Sequence, residues 1–212
     1  MMMRANSIRS RRPWAGTLAL AAWVGLLVFA RPVVAEEDAI VDSPPGRLEF
    51  VGRNLLAKAK GVFHEWRIVE SSIDLEAIEE SFIVVEVALD SVDTGIKRRD
   101  RHLRDPDFFE TETYPVANVR VHSARPIQIE ASDEDEETDV RPLRRFSVQF
   151  DIELHGVQKT LEGEVRLIEA DPAVFEGDLV IDRMVFGVGP KPSRWNPMSP
   201  KAEIPIHFRV EI

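Results

Sequence analysis

The 212-residue chain contains no cysteine, and this absence excludes two kinds of feature common in exported proteins. No disulfide can form, and no lipid can be attached to an N-terminal cysteine. If exported, the folded part must therefore be stabilised by its core without covalent cross-links. With 44% hydrophobic residues, the chain is long enough for one domain of ordinary size, and no second domain is needed.

A basic surplus is also absent. The formal net charge is −10, and removal of residues 1–35, which carry five arginines and no acids, would change it to −15. Binding to phosphate backbones requires an extended basic surface, so this composition argues against nucleic acid as a partner.

No motif of a known catalytic site is present. The sequence lacks a nucleophile elbow, a zinc-binding HExxH, a Walker loop and a dinucleotide fingerprint. The histidines lie far apart and without metal-ligand spacing: His64, His102, His122, His155 and His207. We therefore predict no catalytic residues, no metal site and no cofactor, and a protein that is not an enzyme.

The N-terminus has the features of an export signal over residues 1–35. Four arginines precede Pro13, residues 13–30 carry no charge, and Val33 to Ala35 place small residues before a cleavage site. The uncharged stretch is 18 residues long, which is the length at which a spanning helix begins to be feasible. Cleavage after Ala35 is the prediction, and an uncleaved inner-membrane anchor is the alternative.

Residues 36–46 are polar and end in Pro44-Pro45-Gly46, which predicts a flexible linker before a domain at 47–212. In that domain, apolar and polar residues alternate with period 2, as in strands with one buried face. The segments are Leu48–Val51, Val62–Val69, Ile83–Asp90, Val116–His122, Phe146–His155, Leu161–Leu167, Phe175–Ile181 and Glu203–Ile212. About eight such strands predict an all-β protein, an antiparallel barrel with a sandwich as the alternative.

Residues 130–139, EASDEDEETD, form an acidic tract between two predicted strands. The glycine and the ligand spacing of an EF-hand are absent, so we interpret the tract as a solvated loop without a metal.

A cluster of cations interrupts the acidic chain between Ser91 and Ser123. Five of them surround Asp100 and His102: Lys97, Arg98, Arg99, Arg101 and Arg104. Two interpretations are open. The cations either contact a lipid phosphate or an anionic membrane surface, or they fix a short helix over one end of the barrel.

The positions of glycine and proline predict the local structure of this cluster. Gly95 lets the backbone leave a strand, and residues 96–103 have the spacing of about two helical turns. Asp105-Pro106 then begins a turn that carries Phe108 and Phe109. Tyr114-Pro115 forces the chain back into an extended conformation. The predicted unit is strand, short helix, aromatic turn and strand.

The same stretch carries the pattern T-G-x-K/R-x-R-D-x-H-L-x-x-x-D-F-F-x-x-x-x-Y-P and thereby resembles the YceI-like family. The residues that match are Thr94, Gly95, Arg99, Asp100, His102, Leu103, Asp107, Phe108, Phe109, Tyr114 and Pro115. The resemblance implies a lipocalin-like β-barrel, usually exported, that holds an isoprenoid or similar lipid in an apolar pore without catalysis. A proline-rich segment at 189–200 departs from the family's short link. We expect its Trp195 to pack on its own loop or to cap the barrel.

These observations predict the residues of a site. The apolar wall of a pore is expected from Phe63, Val85, Val87, Leu89, Phe108, Phe109, Phe146, Val148, Phe150, Phe175, Leu179 and Phe208. Lys97, Arg98 and Arg101 are the candidates for lipid head groups or the rim. Structural roles are expected for Thr94, Gly95, Arg99, Asp100, His102, Tyr114 and Pro115. The pattern alone slightly favours a packed core of these residues, and the family resemblance favours a pocket.

The leading hypothesis is an exported, non-enzymatic barrel that transports, stores or sequesters an isoprenoid-type lipid, in the periplasm or a comparable compartment. Its partners would be the apolar ligand and, transiently, a membrane surface. The oligomeric state is open, a homodimer included. The alternative is a structural or partner-binding envelope protein with a filled barrel. A third hypothesis, which we favour least, is an enzyme acting on lipid through Asp100 and His102.

Overall fold

The computed structural model describes residues 46–128 and 142–212. The predicted export segment, the linker up to residue 45 and the acidic tract lie outside the described residues. Gly46, placed in the linker by the sequence, is the first residue of a strand and pairs with Val210.

The described residues form ten strands and one α-helix. The strands are β1 (Gly46–Arg53), β2 (Lys58–Phe63), β3 (Trp66–Ser72), β4 (Phe82–Ala88), β5 (Val92–Asp93), β6 (Val116–Ile127), β7 (Arg144–Leu154), β8 (Val157–Ala170), β9 (Ala173–Asp182) and β10 (Glu203–Glu211). The helix is α1 (Lys97–Arg104), one residue later than predicted. Short 3-10 turns occupy Ile78–Glu80, Leu89–Ser91 and Arg183–Phe186.

All ten strands belong to one antiparallel sheet in the order β3-β4-β6-β7-β8-β9-β10-β1-β2-β5. β2 passes into β3 through residues 64–65, and β4 passes into β5 through Leu89–Ser91. The pairs β2–β5 and β3–β4 are therefore two halves of one bent hairpin.

The bent hairpin brings the two ends of the sheet together. β2 also pairs with β1, and β4 also pairs with β6, so this one element joins both sides. When each bent strand is counted once, the barrel has eight strands, and the predicted antiparallel barrel is confirmed. None of the helices among the described residues has the length and apolarity needed to cross a membrane.

The alternation found in the sequence determines which side chains lie inside. On β7, Phe146, Val148, Phe150 and Ile152 are all buried, whereas the residues between them face outward. Such period-2 segments can bury one face only if the sheet closes or stacks, and here it closes.

Two interior glycines make room for aromatic rings on neighbouring strands. A Cβ at Gly61 would lie 2.3 Å from the ring of Phe50, which pairs with it across β1 and β2. A Cβ at Gly177 would lie 2.3 Å from the ring of Phe208 and 3.0 Å from the carbonyl oxygen of Glu164. The absence of a side chain at these positions therefore lets the rings lie flat against the backbone.

We predict that Gly177→Ala lowers the free energy of unfolding by about 1–3 kcal/mol, because Phe208 must leave its rotamer and the strand backbone resists the new methyl group. Urea denaturation followed by circular dichroism measures this. Gly52→Ala in β1 is the matched control, since its Cβ would meet its nearest atom at 3.7 Å. A loss as large in the control would contradict the steric explanation.

Candidate functional site

An apolar cavity lies inside the barrel, at the end opposite α1. Its walls come from β4, β6, β7 and β10, with single residues from other strands. The lining residues are Leu48, Trp66, Ile73, Ile78, Ser81, Phe82, Ile83, Val85, Val87, Val119, Val121, His122, Ala124, Phe146, Val148, Phe150, Val165, Phe175, Phe208, Val210 and Ile212.

The cavity is large enough for a ligand. The cavity volume is about 140 Å³, roughly ten times what one water molecule needs. Apolar cavities of similar volume bind small hydrocarbons.

Aromatic side chains form the deep part of the cavity. Phe150 and Phe208 meet edge to face with ring centroids 6.0 Å apart. Trp66 is 6% exposed, and its buried Nε1 has no hydrogen-bond acceptor among the described residues. Beyond these rings, towards α1, the barrel is filled.

Apart from the indole N–H of Trp66, the polar side chains that border the cavity have partners within the protein. Ser81 Oγ accepts from the backbone N–H of Asp74 at 2.8 Å and donates to the Asp74 carbonyl. His122 is hydrogen-bonded to Ser123 Oγ at 2.8 Å and to Asp151 Oδ2 at 3.0 Å. Thr160 and, to a smaller extent, His122 hold the pKa of Asp151 below its ordinary value. The cavity therefore offers mainly hydrocarbon surface.

Residues 73–81, which connect β3 to β4, partly cover the cavity. Ile73 and Ile78 point towards it, and Ile78 is 4% exposed. Asp74 Oδ1 accepts from the N–H groups of Glu76 and Ala77, and Arg144 donates to the Leu75 carbonyl. The segment is thus an ordered cap, although its sequence has no strand or helix periodicity that would have revealed it.

Seven of the twelve predicted wall residues line this cavity: Val85, Val87, Phe146, Val148, Phe150, Phe175 and Phe208. The other five pack elsewhere in the interior. Phe63 contacts Phe50 and Phe109, with centroid distances of 5.4 and 6.0 Å. Phe108, Leu89 and Leu179 are part of the packed clusters. Phe108 and Phe109 therefore seal the α1 end and do not border the mouth.

A hydrogen-bond network attaches the N-terminal part of α1 to β5. Asp100 is 7% exposed and accepts from the N–H of Thr94 at 2.8 Å and from its hydroxyl. Arg99 donates to Thr94 Oγ1 and to the Thr94 carbonyl, both at 2.7 Å. Arg99 and Asp100 are thus joined through Thr94. Gly95 supplies the positive φ of 75° that turns the chain into the helix.

A second set of contacts fixes the segments that follow α1 at this end of the barrel. Arg104 donates to the carbonyls of Asp90 and Val92 at 2.7 and 3.1 Å. Tyr114 packs on His155, with ring centroids 4.7 Å apart. His155 and Gly156 form the two-residue turn between β7 and β8 with φ values of 53° and 71°. Pro115 begins the return, and its carbonyl accepts from Leu89 N–H at 2.9 Å.

The outer surface of α1 carries the predicted head-group cations. Lys97, Arg98 and Arg101 are exposed and lie at the end of the barrel away from the cavity. His102, Asp105 and Asp107 form a cluster whose ligand atoms lie within 4.8 Å of one another. All three are exposed, and the bond of 3.0 Å between His102 Nε2 and Asp107 accounts for two of them without an ion. The hydrogen bond from Gly95 N–H, followed by that of His64, lowers the pKa of nearby Asp93.

Sequence reasoning missed the role of Arg183. This guanidinium is 5% exposed and donates to four carbonyls, those of Val188, Pro190, Pro200 and Lys201. Burial lowers its pKa, and neighbouring Asp182 opposes this effect. Arg183 thereby organises the segment between β9 and β10. The one available signal was the arginine in Asp182-Arg183-Met184, and its partners are backbone groups that no sequence pattern identifies.

Comparison with known proteins identified one family and several solved structures with a similar fold. The family model described as the YceI-like domain matches residues 40–212. No curated protein matched. Among solved structures, BcnA of Burkholderia cenocepacia is 18% identical with a TM-score of 0.64, and the match covers 79% of this chain and 96% of that one.

Two further structures show the same fold. A polyisoprenoid-binding domain of Saccharophagus degradans, implicated in plant cell wall breakdown, is 18% identical with a TM-score of 0.56 and covers 80% of this chain and 94% of its own. The YceI protein of Campylobacter jejuni is 18% identical with a TM-score of 0.54, with 74% and 86% covered.

We predict that Asp100→Ala lowers the free energy of unfolding by about 1–3 kcal/mol, because the half-buried N–H and hydroxyl of Thr94 lose their acceptor. Urea denaturation provides the measurement. Asp107→Ala is the control on the same segment, and there an exposed ion pair contributes at most about 1 kcal/mol. Equal losses in the two variants would contradict the role assigned to Asp100.

Proposed function

Because the chain belongs to the YceI-like domain family, we propose that it binds one apolar, isoprenoid-type lipid in the barrel cavity and carries or stores it without chemical change. The observation that carries the proposal is the apolar cavity itself, whose bordering polar side chains, except the indole of Trp66, are hydrogen-bonded to the protein. Support comes from the fold shared with a structure named as a polyisoprenoid-binding domain. A role in catalysis is not needed to explain the hydrogen bonds of Asp100 and His102.

The energy of such binding comes from hydrocarbon burial. Each methylene removed from water contributes about 0.8 kcal/mol, so three isoprene units contribute on the order of 10 kcal/mol before the costs of association. A cavity lined by β-branched and aromatic side chains needs no charged anchor to reach useful affinity.

The surroundings of the cavity favour a neutral polar end on the ligand. The cap at residues 73–81 carries four carboxylates, Asp74, Glu76, Glu79 and Glu80, and no cation. Arg144 reaches this cap, but its guanidinium bonds the Leu75 carbonyl and lies 5.0 Å from the centre of the Phe146 ring. Like charges repel a phosphate here. A quinone or amide end is therefore proposed over a polyprenyl phosphate.

We also propose that the chain is exported to the periplasm or a similar compartment. The support is the signal-like composition of residues 1–35, followed by the polar residues 36–45 before β1. In this proposal the cations Lys97, Arg98 and Arg101 transiently contact anionic membrane surfaces. They do not contact the ligand in the cavity.

We predict that native mass spectrometry of protein purified from its own envelope without detergent shows an excess mass of several hundred daltons that organic extraction removes. Val148→Trp, which fills the cavity wall, should abolish uptake of an added prenyl quinone. Val180→Trp is the matched control, because Val180 is 58% exposed on the outer side of β9.

Three outcomes separate the alternatives. Uptake by the control but not by Val148→Trp supports the cavity as the site. Stronger uptake of a prenyl phosphate than of a prenyl quinone would refute the neutral-end assignment alone. A bare polypeptide mass, together with failure to take up either lipid, would refute lipid binding and leave a partner-binding barrel.

A further inference from the structure

Two segments at the α1 end of the barrel expose large apolar side chains. They are residues 53–60, around the β1–β2 turn, and residues 189–202, which lead into β10, and together we call them the loop face. Trp195 is 95% exposed, Leu55 76%, Leu56 68% and Met198 59%. The expectation that Trp195 packs on its loop or caps the barrel is wrong, because its ring faces solvent almost completely.

Hydrogen bonds fix the backbone of the loop face, and its apolar side chains point outward from that backbone. Leu55 N–H donates to the Pro197 carbonyl at 3.1 Å, and Lys201 N–H donates to the Arg53 carbonyl at 2.8 Å. These bonds join the two segments. Within the second segment, Ser193 N–H bonds Ser199 Oγ at 2.9 Å and Met198 N–H bonds Asn196 Oδ1 at 3.0 Å. Arg183 holds the base of the segment from inside.

The charge of the loop face is opposite to that of the protein. The two segments contain no Asp or Glu and six exposed cations: Arg53, Lys58, Lys60, Lys191, Arg194 and Lys201. The nearest acids along the chain, Glu49, Glu65, Asp182 and Glu203, lie outside both segments. Over the described residues as a whole, 26 acids outnumber 21 lysines and arginines.

α1 adds cations at the same end. A Cβ at Gly189 would lie 2.8 Å from the Phe108 ring, and Phe108 packs on His102 of α1 with centroids 4.9 Å apart. The helix therefore neighbours the second segment, and its exposed Lys97, Arg98 and Arg101 add positive charge, which the exposed Asp105 and Asp107 after the helix partly offset. At the opposite end, the cap over the cavity contains four acids and no lysine or arginine.

Exposed tryptophan and leucine side chains surrounded by lysine and arginine are the composition that inserts into the interface of an anionic bilayer. Cations provide attraction to the lipid head groups, and the apolar groups provide burial below them. We propose that the loop face docks this protein on anionic membranes through Trp195, Leu55, Leu56 and Met198. Docking turns the acidic cap, and with it the cavity, away from the bilayer surface. The proposal does not depend on what the cavity holds.

The absence of cysteine permits a local test on the full chain. Met198→Cys, labelled with an environment-sensitive fluorophore, is mixed with vesicles of phosphatidylcholine and phosphatidylglycerol. We expect a blue shift and quenching by a lipid-phase quencher. A label introduced by Val180→Cys should show neither. Because the label reports on its own surroundings, the result holds even where the N-terminal segment tethers the chain.

Substitutions then distinguish the contribution of charge to vesicle affinity from that of apolar insertion. Lys191→Glu with Arg194→Glu should weaken the vesicle affinity seen by the label by roughly thirtyfold or more, since each surface cation contributes about a factor of five. Trp195→Ser should weaken it by at least about tenfold and reduce the blue shift. Arg125→Glu, at the cavity end of β6, is the charge control and should change the affinity little.

The proposal would be overturned if the label at position 198 stayed in water when anionic vesicles are added. An equal fluorescence shift with vesicles of phosphatidylcholine alone would also contradict it. A shift that appears on raising the protein concentration without vesicles would indicate contact with a second copy instead. Val148→Trp should leave the shift intact, and Trp195→Ser should leave quinone uptake from solution intact. Failure of docking is therefore distinguishable from failure of lipid binding.

Discussion

A sheet closed at eight strands encloses an interior whose width is set by strand number and tilt, and its inward side chains determine how much of that interior is filled. In this protein the filling differs along the barrel axis. Phe50, Phe63 and Phe109 pack together at the α1 end, while valines from β4, β6 and β7 line much of the other end. The cavity lies at that end, between these valines and the rings of Phe146, Phe150, Phe175 and Phe208.

Closing the filled end requires polar contacts, because loops there bury backbone groups. The structure meets this requirement with two charged side chains of different kinds. Asp100 accepts from Thr94, and Arg183 donates to four carbonyls of the β9–β10 segment. Neither is placed by a direct opposite charge. A buried ion satisfied by peptide groups is costly to leave without them, so each one specifies the conformation of the segment it bonds.

The sequence was sufficient for the fold and for part of the site. Period-2 alternation identifies which residues face inward, and it predicted Val85, Phe146 and Val148 correctly as interior. It carries no information on depth along the barrel, which is why Leu89 and Leu179 were assigned to the same wall although neither lines the cavity. Depth depends on the pairing register and on the bend between β2 and β3.

Irregular segments account for the remaining differences between the sequence-based predictions and the structure. Ile73 and Ile78 enter the cavity from a connection without periodicity, so their burial follows from contacts with distant strands. The exposure of Trp195 has the same origin, since the hydrogen bonds of its loop hold the backbone and leave the indole no neighbour to cover it. A packed tryptophan is the ordinary result of apolar burial. Its exposure here coincides with the local reversal of charge. Since the cavity lies at the opposite end, the fold can keep ligand binding and surface attachment in separate regions, each free to change without altering the other.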